Sequence, residues 1–157
     1  MARKALTGGG AFTRKNLTDI NDNFLELYGS ITTVNATVTT LLTAADSGKT
    51  IFLNSSAEFV TTLPVPAAGL SFTFVVVAAP SGASYTVVTN GSANIIKGAQ
   101  FSAAGDAGDT GTADDTITFV DGQAVAGDKC IVLSDGTSWF AWAYTKVAAG
   151  LTFTQAT

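Results

Sequence analysis

The sequence predicts a mainly β protein, an N-terminal arm and coiled-coil helix followed by a β-sandwich or jelly-roll-like barrel, assembled as a trimer. Three observations predict it. Leu17, Ile20, Phe24, Leu27, Ile31, Val34, Val38 and Leu41 are spaced alternately by three and four. From Thr50 onward the text changes to short alternating runs between Gly, Pro and Asn/Asp turns. Only 13% of the chain is charged while 46% is hydrophobic, so some surface is hidden, most simply in subunit contacts, although abundant Thr, Ser and Ala also make a neutral exposed surface.

The N-terminal arm, residues 1–15, carries Arg3, Lys4, Arg14 and Lys15, half of the eight basic residues. The remaining 142 residues hold four basic and twelve acidic side chains, net −8, a balance that repels phosphate and argues against a nucleic-acid partner. The plainest account of the arm is a flexible basic terminus. "MARKALTGGGAF" has no apolar core of a secretory signal, and "FTFVVVAA" is far shorter than a membrane span; we expect synthesis in a cytosol and no membrane insertion.

Residues 16–46 are expected to form the stalk. With Leu17 as a, positions a are Leu17, Phe24, Ile31 and Val38, and positions d are Ile20, Leu27, Val34 and Leu41. A strict 3.5-residue repeat asks for a supercoil, whereas a lone amphipathic helix carries a broader stripe drifting at 3.6. The flanking e and g positions, among them Asn16, Asn21, Asn23, Ser30, Asn35 and Thr37, carry no charge, so identical chains in parallel are the natural partners. Ile31 at a and Ile20 at d favour three strands, though Leu27 and Leu41 at d do not. Asn16 and Asp19 suit a helix start, by capping and by the helix dipole. The β-branched half, "SITTVNATVTT", is a poor helix former. The rival reading therefore ends the helix at Gly29 and makes residues 30–42 extended.

The body, residues 47–157, contains nine expected strands: 50–53, 58–63, 70–78, 85–89, 93–97, 116–120, 129–134, 138–145 and 151–154. Asn90-Gly91 and Asp135-Gly136 read as hairpin turns of the kind that tolerates positive φ, pairing 85–89 with 93–97 and 129–134 with 138–145. Phe72, Phe74 and Val76 share one face of their strand, as do Ile117 and Phe119 of theirs. "SWFAWAY" puts Trp139 on one face and Phe140, Trp142 and Tyr144 on the other. That strand is either central and covered on both sides, part of a subunit interface, or an exposed aromatic row for stacking on sugars.

Catalytic chemistry finds little material. The chain has no histidine, which removes His-based triads and imidazole metal sites. Cys130, the single cysteine, sits in the strand-like "KCIVLS" and reads as a buried thiol. Asp106, Asp109, Asp114 and Asp115 lie in a Gly/Asp segment whose spacing matches no EF-hand, so it reads as a solvated loop. Glu26 and Glu58 are the only glutamates and form no evident carboxylate couple. "SGKT" at 47–50 lacks the first glycine of a phosphate loop. We expect no catalytic residue, no metal and no cofactor.

"FTRKNLTDINDNFLELYGSI" resembles the helical opening of virion proteins of tailed bacteriophages, in which an Asn-Phe-x-Glu-Leu-Tyr phrase leads from an attachment segment into a trimer. "GDKCIVLSDGTSWFAWA" is similar to the closing hairpin of phage fibre and head-decoration proteins, with a Ser-Asp-Gly-Thr turn before a tryptophan strand. The two stretches cover about a quarter of the chain. The resemblance implies a homotrimer with an N-terminal anchor on the particle, so Arg3, Lys4, Phe12, Arg14 and Lys15 would contact the major capsid protein or another virion protein. No long shaft or large β-helix of a polysaccharide-cleaving tailspike is present. The expectation is therefore a decoration, or cement, protein on the outside of a phage head. The alternative is a short head or tail fibre that binds a host glycan, and an enzyme is the least supported class.

Overall fold

The computed structural model describes residues 33–36, 38–55, 59–103 and 113–155. Eleven strands are found among them: β1 (Thr33–Ala36), β2 (Thr40–Leu41), β3 (Thr50–Leu53), β4 (Phe59–Thr62), β5 (Ser71–Val76), β6 (Tyr85–Val88), β7 (Ile96–Ser102), β8 (Thr116–Phe119), β9 (Lys129–Ser134), β10 (Trp139–Thr145) and β11 (Leu151–Thr154). They form a six-stranded sheet in the order β1-β3-β5-β9-β10-β7 and a five-stranded sheet in the order β11-β8-β6-β4-β2. No described residue is in an α-helix.

Burial alternates along the strands, with a period of two. In β5, Phe72, Phe74 and Val76 are buried between half-exposed neighbours; in β8, Ile117 and Phe119 are. The inward residues of both sheets belong to one core, with Trp139, Tyr85, Phe59, Phe72, Phe74 and Phe119 as its largest members. Phe72 packs on Trp139 at 5.9 Å between ring centroids, and Phe59 on Tyr85 at 4.9 Å. The Tyr85 hydroxyl lies 2.9 Å from the Ala78 carbonyl, which satisfies the polar end of a ring otherwise in the core.

The chain winds between the sheets. From β1 to β9 each strand lies in the opposite sheet from the one before it. Strands two apart therefore come to lie side by side and parallel: β1 with β3, β3 with β5, β2 with β4, and β4 with β6. The turnaround comes later, where β8 and β9 run antiparallel to β6 and β5. The sheets are thus mixed, with parallel and antiparallel pairs in each.

Two expectations are corrected. No α-helix occurs among the described residues from 33 to 46: Val34 lies in β1, Val38 in a bend and Leu41 in β2, followed by a single 3-10 turn at Ala44–Asp46. β-Branched residues fit a pleated strand, and pairing with β3 and β4 satisfies the backbone without a partner helix. This is the extended reading of the Thr-rich half. Leu17, Ile20, Phe24, Leu27 and Ile31 lie outside the described residues. The second correction concerns Asn90-Gly91. It makes no hairpin, because β6 and β7 lie in different sheets. Positive φ falls on Gly91 and Ser92, one residue later than a two-residue hairpin turn at Asn90-Gly91 requires. The Thr89 hydroxyl donates to the Ala93 carbonyl at 2.8 Å and closes the crossing.

The β9–β10 hairpin forms as expected, though its turn is a four-residue loop. Asp135 Oδ1 accepts from the backbone amides of Thr137 and Ser138, each at 2.8 Å, while Gly136 takes the positive φ of 103°. At the far edge of the sandwich Phe153 of β11 packs over Gly98 of β7, where a Cβ would lie 2.5 Å from the ring. Any larger residue there would have to displace that ring.

Candidate functional site

The outward face of the six-stranded sheet differs sharply from its counterpart. On the five-stranded sheet the outward positions are largely threonine, including Thr62, Thr86, Thr116, Thr118, Thr152 and Thr154. On the six-stranded sheet, register places aromatic and aliphatic side chains in three cross-strand rows. The first is Val75–Lys129–Tyr144–Phe101, the second Thr73–Ile131–Trp142–Ala99, and the third Ser71–Leu133–Phe140–Lys97. Period-two alternation gives all of them the same side, because the intervening residues Cys130, Val132, Trp139, Ala141 and Ala143 are in the core.

Four of these side chains are well exposed: Trp142 at 38%, Phe101 and Leu133 at 42%, and Tyr144 at 43%. Phe101 and Tyr144 stack at 5.6 Å with 23° between ring planes. The Lys129 ammonium lies 5.0 Å from the Tyr144 ring centroid, and Lys97 lies 5.6 Å from that of Phe140. Both lysines hold their charge over a ring. The aromatic row read from "SWFAWAY" is therefore a solvent-facing surface of this chain. Its β9 neighbours follow from the expected hairpin, whereas those on β7 were not legible, since β7 pairs in parallel with β10 from 43 residues away.

At one end of the face lies a shallow cleft of about 590 Å³. Phe101, Tyr144, Ala126, Gly127, Asp128 and Lys146 are among the residues that line it. Asp128 shapes the cleft. Its carboxylate accepts the backbone amides of Val125 and Lys146, both at 2.9 Å, and ties the loop before β9 to the end of β10.

The other candidates resolve into structural roles or fall outside the described residues. Arg3, Lys4, Phe12, Arg14, Lys15, Asp106 and Asp109 lie outside them. Asp114 and Asp115 are buried: Asp114 bridges to Ile96 through two backbone bonds of 2.8 Å, and Asp115 accepts the Thr116 hydroxyl at 2.9 Å. No group of three or more potential metal ligands occurs among the described residues. Cys130 is fully buried, and burial pushes its thiol well above the usual range, which leaves it inert as a nucleophile. "SGK" at 47–49 is a turn before β3, with the Gly48 amide on the Ser71 carbonyl at 2.7 Å. At Asp46, burial raises the carboxyl pKa, but bonds from Lys49 and Thr43 outweigh it and leave the group below its ordinary value.

On the opposite edge of the molecule, where β1 and β2 border their sheets, two apolar side chains stand in solvent: Val38 at 67% and Leu41 at 66%. Both belong to the apolar series that begins at Leu17. No described helix is long and apolar enough to cross a membrane. Comparison with protein-family models, curated proteins and solved structures yields no match.

Proposed function

We propose that this chain is a structural protein of a phage virion: a homotrimer that decorates the outside of the head and stabilises the shell. Residues 17–31 supply a coiled-coil stalk, residues 1–15 grip the major capsid protein, and the sandwich faces outward. The single observation that carries the reading is the exposure of Val38 and Leu41 on the β1/β2 edge, the last two members of the apolar series that begins at Leu17 in the sequence. Hiding such side chains favours association of identical chains around one axis. Each is about two-thirds exposed, so covering it contributes about 1–2 kcal/mol, repeated in every copy. Stabilisation of the shell then follows from mass action, because a multivalent ligand that binds only the assembled lattice holds that state.

Native mass spectrometry of the full chain tests the association. The expected species is three times the 16.0 kDa subunit, and replacing Val38 and Leu41 by Ser should raise the concentration needed for assembly by about tenfold or more. Removal of residues 1–15 should leave the trimer intact and abolish binding to empty shells. A chain that stays single at micromolar concentration, alone and on particles, would defeat the proposal.

A further inference from the structure

We infer that the aromatic face around Trp142, together with the cleft beside Tyr144, is a binding site for an acidic polysaccharide chain. The face lies at the β7 edge of the six-stranded sheet, five strand spacings and so about 24 Å from the β1 edge. An association built on Val38 and Leu41 leaves it open.

The argument from chemistry has three parts. Trp142 has an exposed indole whose row neighbour on β7 is Ala99, with only a methyl group to fill the space beside the ring. The weakly positive C–H groups of a pyranose match the negative face of such a ring, as they do in edge-to-face aromatic packing. Secondly, Lys97, Lys129 and Lys146 all border this face or its cleft. They are three of the four basic residues outside the N-terminal arm, gathered on a body that is otherwise acidic. Lys97 and Lys129 lie in the outer rows, separated by four residues along the strands, about 13 Å. Carboxylates spaced along a sugar chain can meet both while the rings between them cover Trp142, each contact being a charge-assisted hydrogen bond. Finally, protein interfaces are depleted in lysine at their centres, so two lysines lying across the rings favour a hydrated ligand over a second protein. Single-stranded nucleic acid also combines stacking with charge, and tighter binding of oligothymidylate is the outcome that would identify it as the occupant instead.

Calorimetric titration of the full-length protein with hexagalacturonate, maltohexaose and oligothymidylate tests this. Hexagalacturonate should bind saturably and at least about fivefold tighter than neutral maltohexaose. Trp142→Ala should weaken it about tenfold, with Trp142→Phe recovering part of the loss, and circular dichroism should show both variants folded. Lys97→Gln with Lys129→Gln should weaken binding and flatten its salt dependence. Three results would each overturn the inference: no saturable heat with hexagalacturonate at about 10 mM, a range in which even weak sites fill; affinity unchanged by Trp142→Ala; or tighter binding of oligothymidylate. The Val38→Ser, Leu41→Ser variant separates this site from the trimer, since its affinity per chain should be unaltered.

Discussion

Replacing Thr61 by Val should stabilise this protein, although it deletes a polar group from a sheet rich in hydrogen bonds. Thr61 points inward from β4 between Phe59 and Leu63, is fully buried, and its Oγ1 has no hydrogen-bond partner. A buried hydroxyl left unpaired costs about 1–3 kcal/mol. Valine keeps the branching at Cβ and the strand preference while replacing the hydroxyl with a methyl. The expected gain is about 1 kcal/mol. With a urea m-value of about 2 kcal/mol/M, that moves the unfolding midpoint upward by about 0.5 M, and the melting temperature by about 3 °C. Urea denaturation followed by circular dichroism reads it, with equal m-values required of both proteins. Thr61→Ser, which keeps the hydroxyl and loses the methyl, should instead cost about 1 kcal/mol. A Val variant less stable than the parent would show that the hydroxyl has a partner, such as a trapped water, and the reasoning would fail.

Other substitutions probe the closure, the hairpin and the core. Gly98→Ala puts a Cβ 2.5 Å from the Phe153 ring. It should cost about 1–3 kcal/mol, and the cost should shrink in a Phe153→Ala background if the clash is its cause. Asp135 is held below its ordinary 3.8 by backbone bonds from Ser138 and Thr137 and by the Thr137 hydroxyl. A depressed folded-state pKa stabilises above the unfolded value, and that contribution is lost as pH falls through the folded value. The wild type should therefore lose stability on acidification below 3.8, and Asp135→Ala should show a flatter profile in the same window. Cys130 should resist Ellman's reagent in the native protein at neutral pH and react once denaturant exposes it; reaction without denaturant would contradict its burial.

The strands from Thr50 onward were legible because burial alternates with the simplest of periods, and all nine expected segments match or overlap observed ones. The poorest match is β7, expected at 93–97 and found at Ile96–Ser102. There Gln100 points inward and donates to the Thr145 hydroxyl and the Ala148 carbonyl, each at 2.8 Å, so a polar residue occupies a position where the pattern calls for an apolar one. Sheet membership was not legible. Alternation says which residues face a core but not which sheet carries them, and Asn90-Gly91 looks the same in a hairpin as in a crossing between layers. The heptad pattern misled over residues 33–41 for a related reason: Val34, Val38 and Leu41 satisfy a helical spacing, while the threonines and valines around them favour strands. Of the candidate face, Trp142 and Tyr144 could be read from alternation within β10. Phe101 and Lys97 could not, because only parallel pairing of distant segments puts them in the same rows.

The winding between layers also governs the order in which this molecule can be made. Phe72 waits for Val132, sixty residues further on, and Tyr85 for Phe119, so the middle of each sheet stays unfinished until the last third of the chain has left the ribosome. Among the described residues, the one strand pair closed by a local turn, Lys129–Ser134 with Trp139–Thr145, is among the last to emerge. Distant pairings form slowly and local ones quickly, so that late hairpin is the natural seed against which β5 completes its sheet. A chain stalled before Trp139 would display Phe72, Phe74 and Val76 to its neighbours, and crowding among nascent copies, more than the stability of the finished sandwich, would then limit how much protein a cell can deliver.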